Sequence, residues 1–580
     1  MNIYKITILE ILKRKIKTEK ELARWKRKIA KRYKISLPSN IDLLRAYRNL
    51  VAEKKIKKSL KYNLRLTTGQ AKLLENLLKT RSIRSLSGIV NVSVLTSPRP
   101  QLGAGQALSC PGKCIFCPTE KGLPKSYLSG EPAVERAKIL KFDPYLQVKK
   151  RIEMLKNQGH FVDKVELRII GGSFTFYPEK YKTWFLKRCF DGANETNSQP
   201  KNQDFKKLLY LAQKVNEMAK HRIVGISIET RPDLITEKEI KNLRELGITM
   251  VELGVQTIFD DILEYSKTGQ KISDTIKATK LLKDAGFKVM YQMMPNLPKP
   301  EHKNFVLGRA HKYGLWSTIR KDKEAFKEIF ENQNFKPDWL KIYPCLVLKE
   351  AKLYKLWEKG KYKSYSDKSL ISLIKYIKSI CPFWIRIARI YRDIAKEKIV
   401  SGSKISNLRE VIQKEMKEEK IACHCIRCRE VKGKYNPAEK IYLFREDYLA
   451  SEGKEIFLSF ENKKRTKLYS LLRLRIPSFI FESAEVGPPQ IFPVLKDAAI
   501  IREIHTYGQL RPLGKLGQGR TLTLSPQHRG LGKKLIKEAE KITKKEFHLN
   551  KIAVISGIGV RNYFKKLGYR LKNTYMIKSL

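Results

Sequence analysis

The chain has 580 residues, with 119 Lys and Arg against 58 Asp and Glu, a formal net charge of +61. Apolar residues make up 42%, enough for two or three domains with sizeable cores. No run of about 18 uncharged apolar residues appears and the opening stretch has no signal-peptide core, so a membrane-spanning or secreted protein is not expected and a cytoplasmic one is.

Bases outnumber acids two to one, and this points to a polyanionic partner, because Lys and Arg gain affinity by releasing counterions from phosphates. Nucleic acid is favoured over membrane, since no amphipathic anchor or lipidation signal is evident.

In chain order, residues 1–85 read as a basic helical module. EKELARWKRKIAKRYKI and NIDLLRAYRNLVAEKKI carry helical spacing, with Trp25 and Tyr47 among the bases, so phosphate contacts and base stacking are both expected of it. Residues 86–385 change to short apolar runs: GIVNVSVLT, KVELRIIGG, RIVGISIET, ITMVELGVQ, KVMYQMMP and WLKIYPCLVL. Amphipathic stretches separate them, which predicts parallel βα units, an α/β fold closing into a partial (β/α) barrel with chemistry at the C-terminal strand ends. Within it, 191–203 reads as a polar loop and 301–336 as a charged insertion. Residues 386–436 read as a linker with a connecting helix, KISNLREVIQKEMKEEK, and a cysteine-rich segment. Residues 437–580 alternate strand patterns (EIFLSFEN, RTKLYSLLRLRI, AAIIREIHTYG, RTLTLSP, KIAVISGIGV) with one helix, GLGKKLIKEAEKITKKEF, and predict a separate α+β domain.

Nine cysteines fall into two triplets, Cys110, Cys114, Cys117 and Cys423, Cys425, Cys428, plus the singletons Cys189, Cys345 and Cys381. This is not a disulfide framework; the triplets read as metal sites. Structural zinc takes four protein ligands, so three thiolates on one tight loop leave a metal position open unless His160 or His221 supplies the fourth. Cys425-x2-Cys428 has metal-ligand spacing, and with Cys423 and one of His424, His302 or His311 it would make a structural zinc site. Gly171-Gly172 closes the second strand, where only glycine lets backbone approach a ligand closely. Glu229 and Arg231 end the next strand and Gln256 the one after; buried ion pairs are the alternative reading of these charges. Gln527-His528-Arg529-Gly530-Leu531-Gly532 lies between a strand and a helix, where backbone N–H groups can cradle a pyrophosphate.

Cys-x3-Cys-x2-Cys after a first barrel strand, with Phe116 beside the third cysteine, resembles the radical S-adenosylmethionine (SAM) signature. The loop Gln527–Gly532 and VRNYFKKLGYR resemble the GNAT acetyltransferases, with Tyr563 near the thioester. The two together, with GHFVDKVELRIIGGSF, ETRPD, ELGVQT, MMPNLP, NLREV and REIHTYG, resemble the Elongator catalytic subunit family over residues 85–580. That resemblance implies a 4Fe-4S cluster on Cys110, Cys114 and Cys117, whose fourth iron SAM chelates, and an electron donor. It places SAM contacts at Gly171, Gly172, Glu229, Arg231 and Gln256. It places acetyl-CoA contacts at Lys164, Glu503, Ile504, His505, Thr506, Gln527, Gly530, Leu531, Gly532, Lys533, Tyr563 and Phe564, with Lys164 and Tyr563 also catalytic.

The activity implied is modification of the wobble uridine of tRNA anticodons. A 5'-deoxyadenosyl radical takes hydrogen from the acetyl methyl, the carbon radical attacks carbon 5 of the uridine, and thioester hydrolysis leaves a carboxymethyl group. Phe564 departs from the family's second tyrosine, and Gln270 and Cys345 stand where His and Thr are usual. A protein lysine acetyltransferase and a non-catalytic RNA-binding scaffold are the rival readings; a chain of +61 repels basic peptides, and intact cysteines and glycines disfavour the scaffold. The sequence leaves the oligomeric state open, with a homodimer among the expectations.

Overall fold

The computed structural model describes residues 3–14, 16–52, 68–99, 110–197, 204–299, 310–433, 435–481, 488–511 and 525–580. Helices Ile3–Lys13, Glu19–Arg32, Asn40–Ala52 and Thr68–Leu78 form the N-terminal module, closed over Ile8, Leu43, Leu44 and Leu78. Glu19–Arg32 opens on a reciprocal cap between Thr18 and Glu21. Tyr47 is a core residue here, 3% exposed, and Trp25 is roofed by the Arg14 guanidinium at 3.9 Å. Tyr47 therefore does not stand free to stack on a base as the sequence suggested, because it falls on its helix's apolar stripe, while Trp25 is only partly buried against the same core.

Seven parallel strands follow: β1 (Val90–Leu95), β2 (Lys164–Ile170), β3 (Arg222–Thr230), β4 (Met250–Gln256), β5 (Lys288–Met293), β6 (Trp339–Ile342) and, after the short β7 (Val347–Leu348), β8 (Arg386–Arg389). Their order is β1-β2-β3-β4-β5-β6-β8, with no β8–β1 pairing among the described residues, so the sheet is a partial barrel. Strand β9 (Ile399–Ser401) pairs with β7 beside it.

Alternation divides each barrel strand. Val165, Leu167 and Ile169, Val251, Leu253 and Val255, and Val289 and Tyr291 face the helices. The opposite set, including Lys164, Arg168, Ser227, Glu252, Met290 and Lys341, lines the interior.

Two expected boundaries move. β8 begins at the residue where a linker was expected, and helix Leu408–Glu418 seats Leu408, Ile412 and Met416 in the barrel core. The charged 301–336 segment contributes helix Ala310–Glu331, which buries Phe326, Ile329 and Phe330 against the barrel as the β5–β6 crossover. Of the polar 191–203 stretch, 191–194 end helix Glu179–Asn194, and 198–203 lie outside the described residues.

The C-terminal half is a second sheet of β10 (Tyr442–Ala450), β11 (Gly453–Glu461), β12 (Leu468–Ile476), β13 (Ala499–Thr506), β14 (Lys551–Val554), β15 (Arg570–Lys572) and β16 (Tyr575–Ser579), ordered β10-β11-β12-β13-β14-β16-β15. Helix Leu531–Lys545 packs on it through Leu535, Ile536, Ala539 and Ile542. The expected strand at RTLTLSP falls mostly outside the described residues.

β13 pairs with β14 only over Ala499–Ile501, and Glu503–Thr506 continue along β12 alone. The two strands therefore splay apart beyond Ile501. This half covers the N-terminal mouth of the barrel. A Cβ on Gly557 would lie 2.1 Å from Val224 O, and one on Gly286 would lie 2.9 Å from Ile500 Cγ2. Arg502 joins Asp338 at the foot of β6.

Candidate active site

The cysteine loop sits at the C-terminal strand ends. Cys110, Cys114 and Cys117 line a cavity of about 140 Å³ together with Gly172, Glu229, Arg231 and Gln256. Backbone bonds hold the loop: Ile115 N donates to Ser266 O at 3.0 Å and Leu353 N to Ile115 O at 2.8 Å. The Lys125 ammonium donates to Gly112 O. Phe116 is buried with Leu297 and Val347 in an apolar wall against which Cys114 and Cys117 pack. A Cβ at Gly112 would come 2.3 Å from Arg231 Nη1, so any other residue there would displace that guanidinium. Ser173 Oγ donates to Cys110 Sγ at 3.3 Å.

Arg231 is locked by Asp233 at 2.9 Å through Nε and Nη2, and by Thr268 O at 2.7 Å, so a fixed cation faces Cys110 and Cys114. Burial raises the Cys114 thiol and pushes that of Cys117 up to about 12; a thiophilic metal replaces those protons on binding.

The residues present fit a cluster with one vacant corner. The two histidines weighed as a fourth ligand are engaged elsewhere: His160 bonds Ser85 Oγ and Thr80 O, each at 3.1 Å, and His221 bonds Val162 O at 2.6 Å. Gln256 has φ +71°, and its buried Oε1 has no partner among the described residues. Such strain and such an orphaned acceptor on a cavity wall are marks of ligand contact. Gly171 has φ +124°, and a Cβ there would meet Thr96 Oγ1 at 2.1 Å, which fixes the glycine pair. Glu229 accepts from Tyr127 Oη at 2.6 Å and Lys341 Nζ at 3.0 Å. Lys341 also pairs with Glu252, which Arg168 holds at 2.6 Å. Tyr127, Lys341 and Ser173 were not legible from the chain, because their partners lie far away in sequence. Gln270 lines the same cavity and spends its amide on Gly254 O and Val255 O.

The glycine loop expected to bind phosphate, 527–532, lies at the opposite, N-terminal end of the barrel. Gly530 has φ +80° and precedes helix Leu531–Lys545, whose first turn is free of acids; Lys533 is exposed there. A Cβ on Gly532 would stand 3.2 Å from Tyr563 Oη and 3.5 Å from Ile504 Cδ1, so tyrosine, isoleucine and loop converge. Lys164 opens β2 beneath the loop and donates to Gln527 Oε1 at 3.0 Å. Burial lowers its ammonium to about 8, despite Asp163.

Several expected cofactor contacts are committed to the fold. Gln527 also accepts from Arg511 N and donates to Gly88 O and Thr506 O, so its amide ties three segments together. Glu503 is buried between Arg473 at 2.8 Å and Lys288 at 3.4 Å. His505 bonds Ser87 O at 2.7 Å, and Thr506 Oγ1 bonds Ser470. Phe564 belongs to the domain core, edge-on to Tyr563. What β13 offers a ligand is its splayed backbone.

The second triplet draws together: the sulfurs of Cys423, Cys425 and Cys428 all lie within 4.8 Å of one another, and among the described residues this is the one such group. The first triplet need not converge so, since in a cluster each thiolate takes its own iron. His424 is not a fourth member; its ring stacks on Phe383 at 4.5 Å. His302 lies outside the described residues, as does the side chain of His311. Buried Cys381 interacts electrostatically with Cys425 and Cys428, and Lys378 donates to Cys423 at 3.2 Å and Cys428 at 3.4 Å.

Residues 108–305 match the model of the Radical SAM superfamily and 337–418 that of the Radical SAM C-terminal domain. A protein named tRNA uridine(34) acetyltransferase from Methanocaldococcus jannaschii is 44% identical over 526 residues, 89% of this chain and 88% of that one. Elongator complex protein 3 of Homo sapiens is 37% identical over 524 residues, 88% of this chain and 87% of that one. This chain belongs to the elongator protein 3 family. A solved member, the archaeal Elp3 of Methanocaldococcus infernus with an N-terminal deletion, superposes with a TM-score of 0.68 at 42% identity, over 85% of this chain and all of that one. Within an elongator protein 3 chain the cysteine loop is the radical SAM motif, and no helix among the described residues is long and apolar enough to cross a membrane.

Proposed function

We propose that this protein modifies uridine 34 of tRNA, using SAM at the cysteine cavity and acetyl-CoA at the phosphate loop to build a carboxymethyl group on carbon 5. The observation that carries it is the pairing of a three-thiolate cavity with one open metal corner and a glycine phosphate loop at the two mouths of one barrel. The named activity of its relatives supports the uridine, and a charge of +61 suits an RNA substrate.

Cys110, Cys114 and Cys117 would hold the 4Fe-4S cluster, and with SAM this group supplies a 5'-deoxyadenosyl radical. The protein's own residues do the positioning. Gly171 and Gly172 bring bare backbone to the ligand, Gln256 offers its free acyl oxygen, and Glu229 is aimed by Tyr127 and Lys341. At the other mouth the first-turn N–H groups of Leu531–Lys545 and the Lys164 ammonium receive the CoA phosphates. Tyr563 Oη, kept protonated by burial at about 12, donates a hydrogen bond near the thioester. The basic N-terminal module holds the tRNA phosphates.

For the second triplet we assign structural zinc, with Cys381 as the fourth ligand. The domain limits 1–85, 86–385, 386–436 and 437–580 stand as functional units only once β8 and helix Leu408–Glu418 are returned to the barrel.

The test is anaerobic: reconstituted protein, SAM, reductant, acetyl-CoA and tRNA, then nucleoside mass spectrometry. A carboxymethyl mass gain on uridine, absent in Cys114→Ala, is expected. No gain in the wild type overturns the reading.

A further inference from the structure

Strand β10 closes the C-terminal sheet on one side, and among the described residues no strand pairs with its outer edge. At the other end of that sheet β15 is three residues long, Arg570–Lys572, too short to offer a second chain much of a template. β10 runs for nine residues, Tyr442–Ala450, and its outer edge is a row of backbone N–H and C=O groups open to pairing.

Alternate residues divide its two faces. Phe444, Glu446, Tyr448 and Ala450 turn inward, the last two buried, whereas Leu443, Arg445, Asp447 and Leu449 are exposed. Leu443 and Leu449 keep 42% and 55% of their surfaces in water. The outward face therefore reads apolar, base, acid, apolar, an order that complements itself when the strand is reversed. Directly opposed side chains of an antiparallel pair lie on one face, so a second β10 can be placed only where opposed residue numbers sum to an even number. With Glu446 on the axis, Leu443 meets Leu449 and Arg445 meets Asp447, each twice. On the inner face Phe444 meets Tyr448.

The charges are held ready for this. Arg445 is fixed by Asp447 at 2.7 and 2.9 Å and by Glu546 at 2.7 Å, and Lys454 stands 3.3 Å from Asp447. Two copies brought together close a ring of alternating sign. Glu446 is the residue that meets its own counterpart, and Arg465 grips it at 2.5 Å. Edge strands are commonly guarded by lysine or other charges that repel a second chain; on this one the two signs alternate. β10 carries one base and two acids in a chain with 119 bases and 58 acids, so two copies repel each other less here than over the average surface.

We propose that the outer edge of β10 is a homodimer interface, in which two copies pair β10 antiparallel about a two-fold axis at Glu446 and join their C-terminal sheets into one. The contact is isologous, the same strand serving both copies. Main-chain hydrogen bonds supply affinity, and the leucine and Arg–Asp pairs fix the register.

Sedimentation velocity of RNA-free, full-length holoprotein tests it. The wild type is expected to pass from monomer to dimer across roughly micromolar concentrations, the range of a small contact. Leu443→Lys sets an ammonium against Leu449 of the second copy at both ends, and is expected to raise the dissociation constant about tenfold or more. Leu449→Glu is expected to do the same from the other side. Mixed in equal amounts, the two variants are expected to recover the dimer, because the new lysine then faces the new glutamate and the remaining leucines face each other. That recovery also separates interface from fold, since a folding defect is not cured by a second copy carrying its own. A wild type still monomeric at about 100 μM, a dimer indifferent to both variants, or a mixture that does not recover each overturns the proposal, and none of these touches the proposed activity.

Discussion

Arg502 of β13 grips Asp338 at the foot of β6 with both terminal nitrogens, Nη1 at 2.8 Å from Oδ2 and Nη2 at 2.5 Å from Oδ1. The same guanidinium meets Glu455 at 3.0 Å, and Arg475 joins Glu455 to Asp284. These groups are almost wholly buried, and the row crosses from one half of the protein to the other.

Removing one charge from such a pair leaves its partner buried alone. Asp338→Asn is expected to cost about 3–5 kcal/mol in urea unfolding at neutral pH. Its cations, Arg502 first, hold the Asp338 carboxyl far below the usual carboxylate range. A depressed acid contributes stability that is complete above its unfolded pKa of 3.8 and is lost as pH falls below that value. The wild type is therefore expected to lose stability more steeply than Asp338→Asn on acidification below pH 3.8.

Lys164 gives a pH signature of opposite sense. With its folded pKa near 8 against 10.5 unfolded, the native state binds fewer protons between these values, so its contribution to stability rises with pH across that window. CoA phosphates restore the charge, so CoA binding near pH 9 is expected to take up a proton, measurable by calorimetry in buffers of differing ionisation enthalpy. Lys164→Met is expected to abolish the uptake and weaken CoA by roughly tenfold or more, the worth of about 1.5–3 kcal/mol for a charged hydrogen bond.

Cys114→Ala is expected to lose iron and SAM cleavage while binding CoA as the wild type does, because loop and phosphate site lie at opposite strand ends. Iron and sulfide analysis beside CoA dialysis checks this.

The second thiolate group is expected to retain about one zinc per chain. Cys381→Ala should release it to a mild chelator faster than the wild type does, and should lower the melting temperature. Retention unchanged in that variant would remove Cys381 from the ligand set.

Much of this was legible in the chain. The six apolar runs became β1 to β6, and Cys110, Cys114, Cys117, Gly172, Glu229, Arg231 and Gln256 surround one cavity. What escaped notice has a physical reason. β8 carries Arg386 and Arg389, one on each side of its short apolar stretch, and so looks like linker. Lys341 sits inside an ordinary strand pattern and acquires meaning only from Glu229 and Glu252 across the barrel. Cys381 is remote from the triplet it approaches, while adjacent His424 is drawn away by Phe383. Glu503 was expected from the family resemblance and Gln527 from its loop, and neither source could show that their side chains also fasten segments together, Glu503 through Arg473 and Lys288 and Gln527 through Lys164, Gly88 and Thr506.

The Arg502–Asp338 clasp also governs how the gene could be cut. A shortened chain ending before β10 would lose the partners that Arg502, Arg475 and Glu455 give to Asp338, Asp284 and Lys283, keeping only the Lys283–Asp338 pair, and the isolated C-terminal half would keep Glu455 and Glu503 for Arg473, Arg475 and Arg502 but lose the barrel carboxylates. Neither fragment is a fair stand-in for its share of the work, and a disabling lesion in the last third of the protein should be expected to surface first as a barrel that cannot keep its iron.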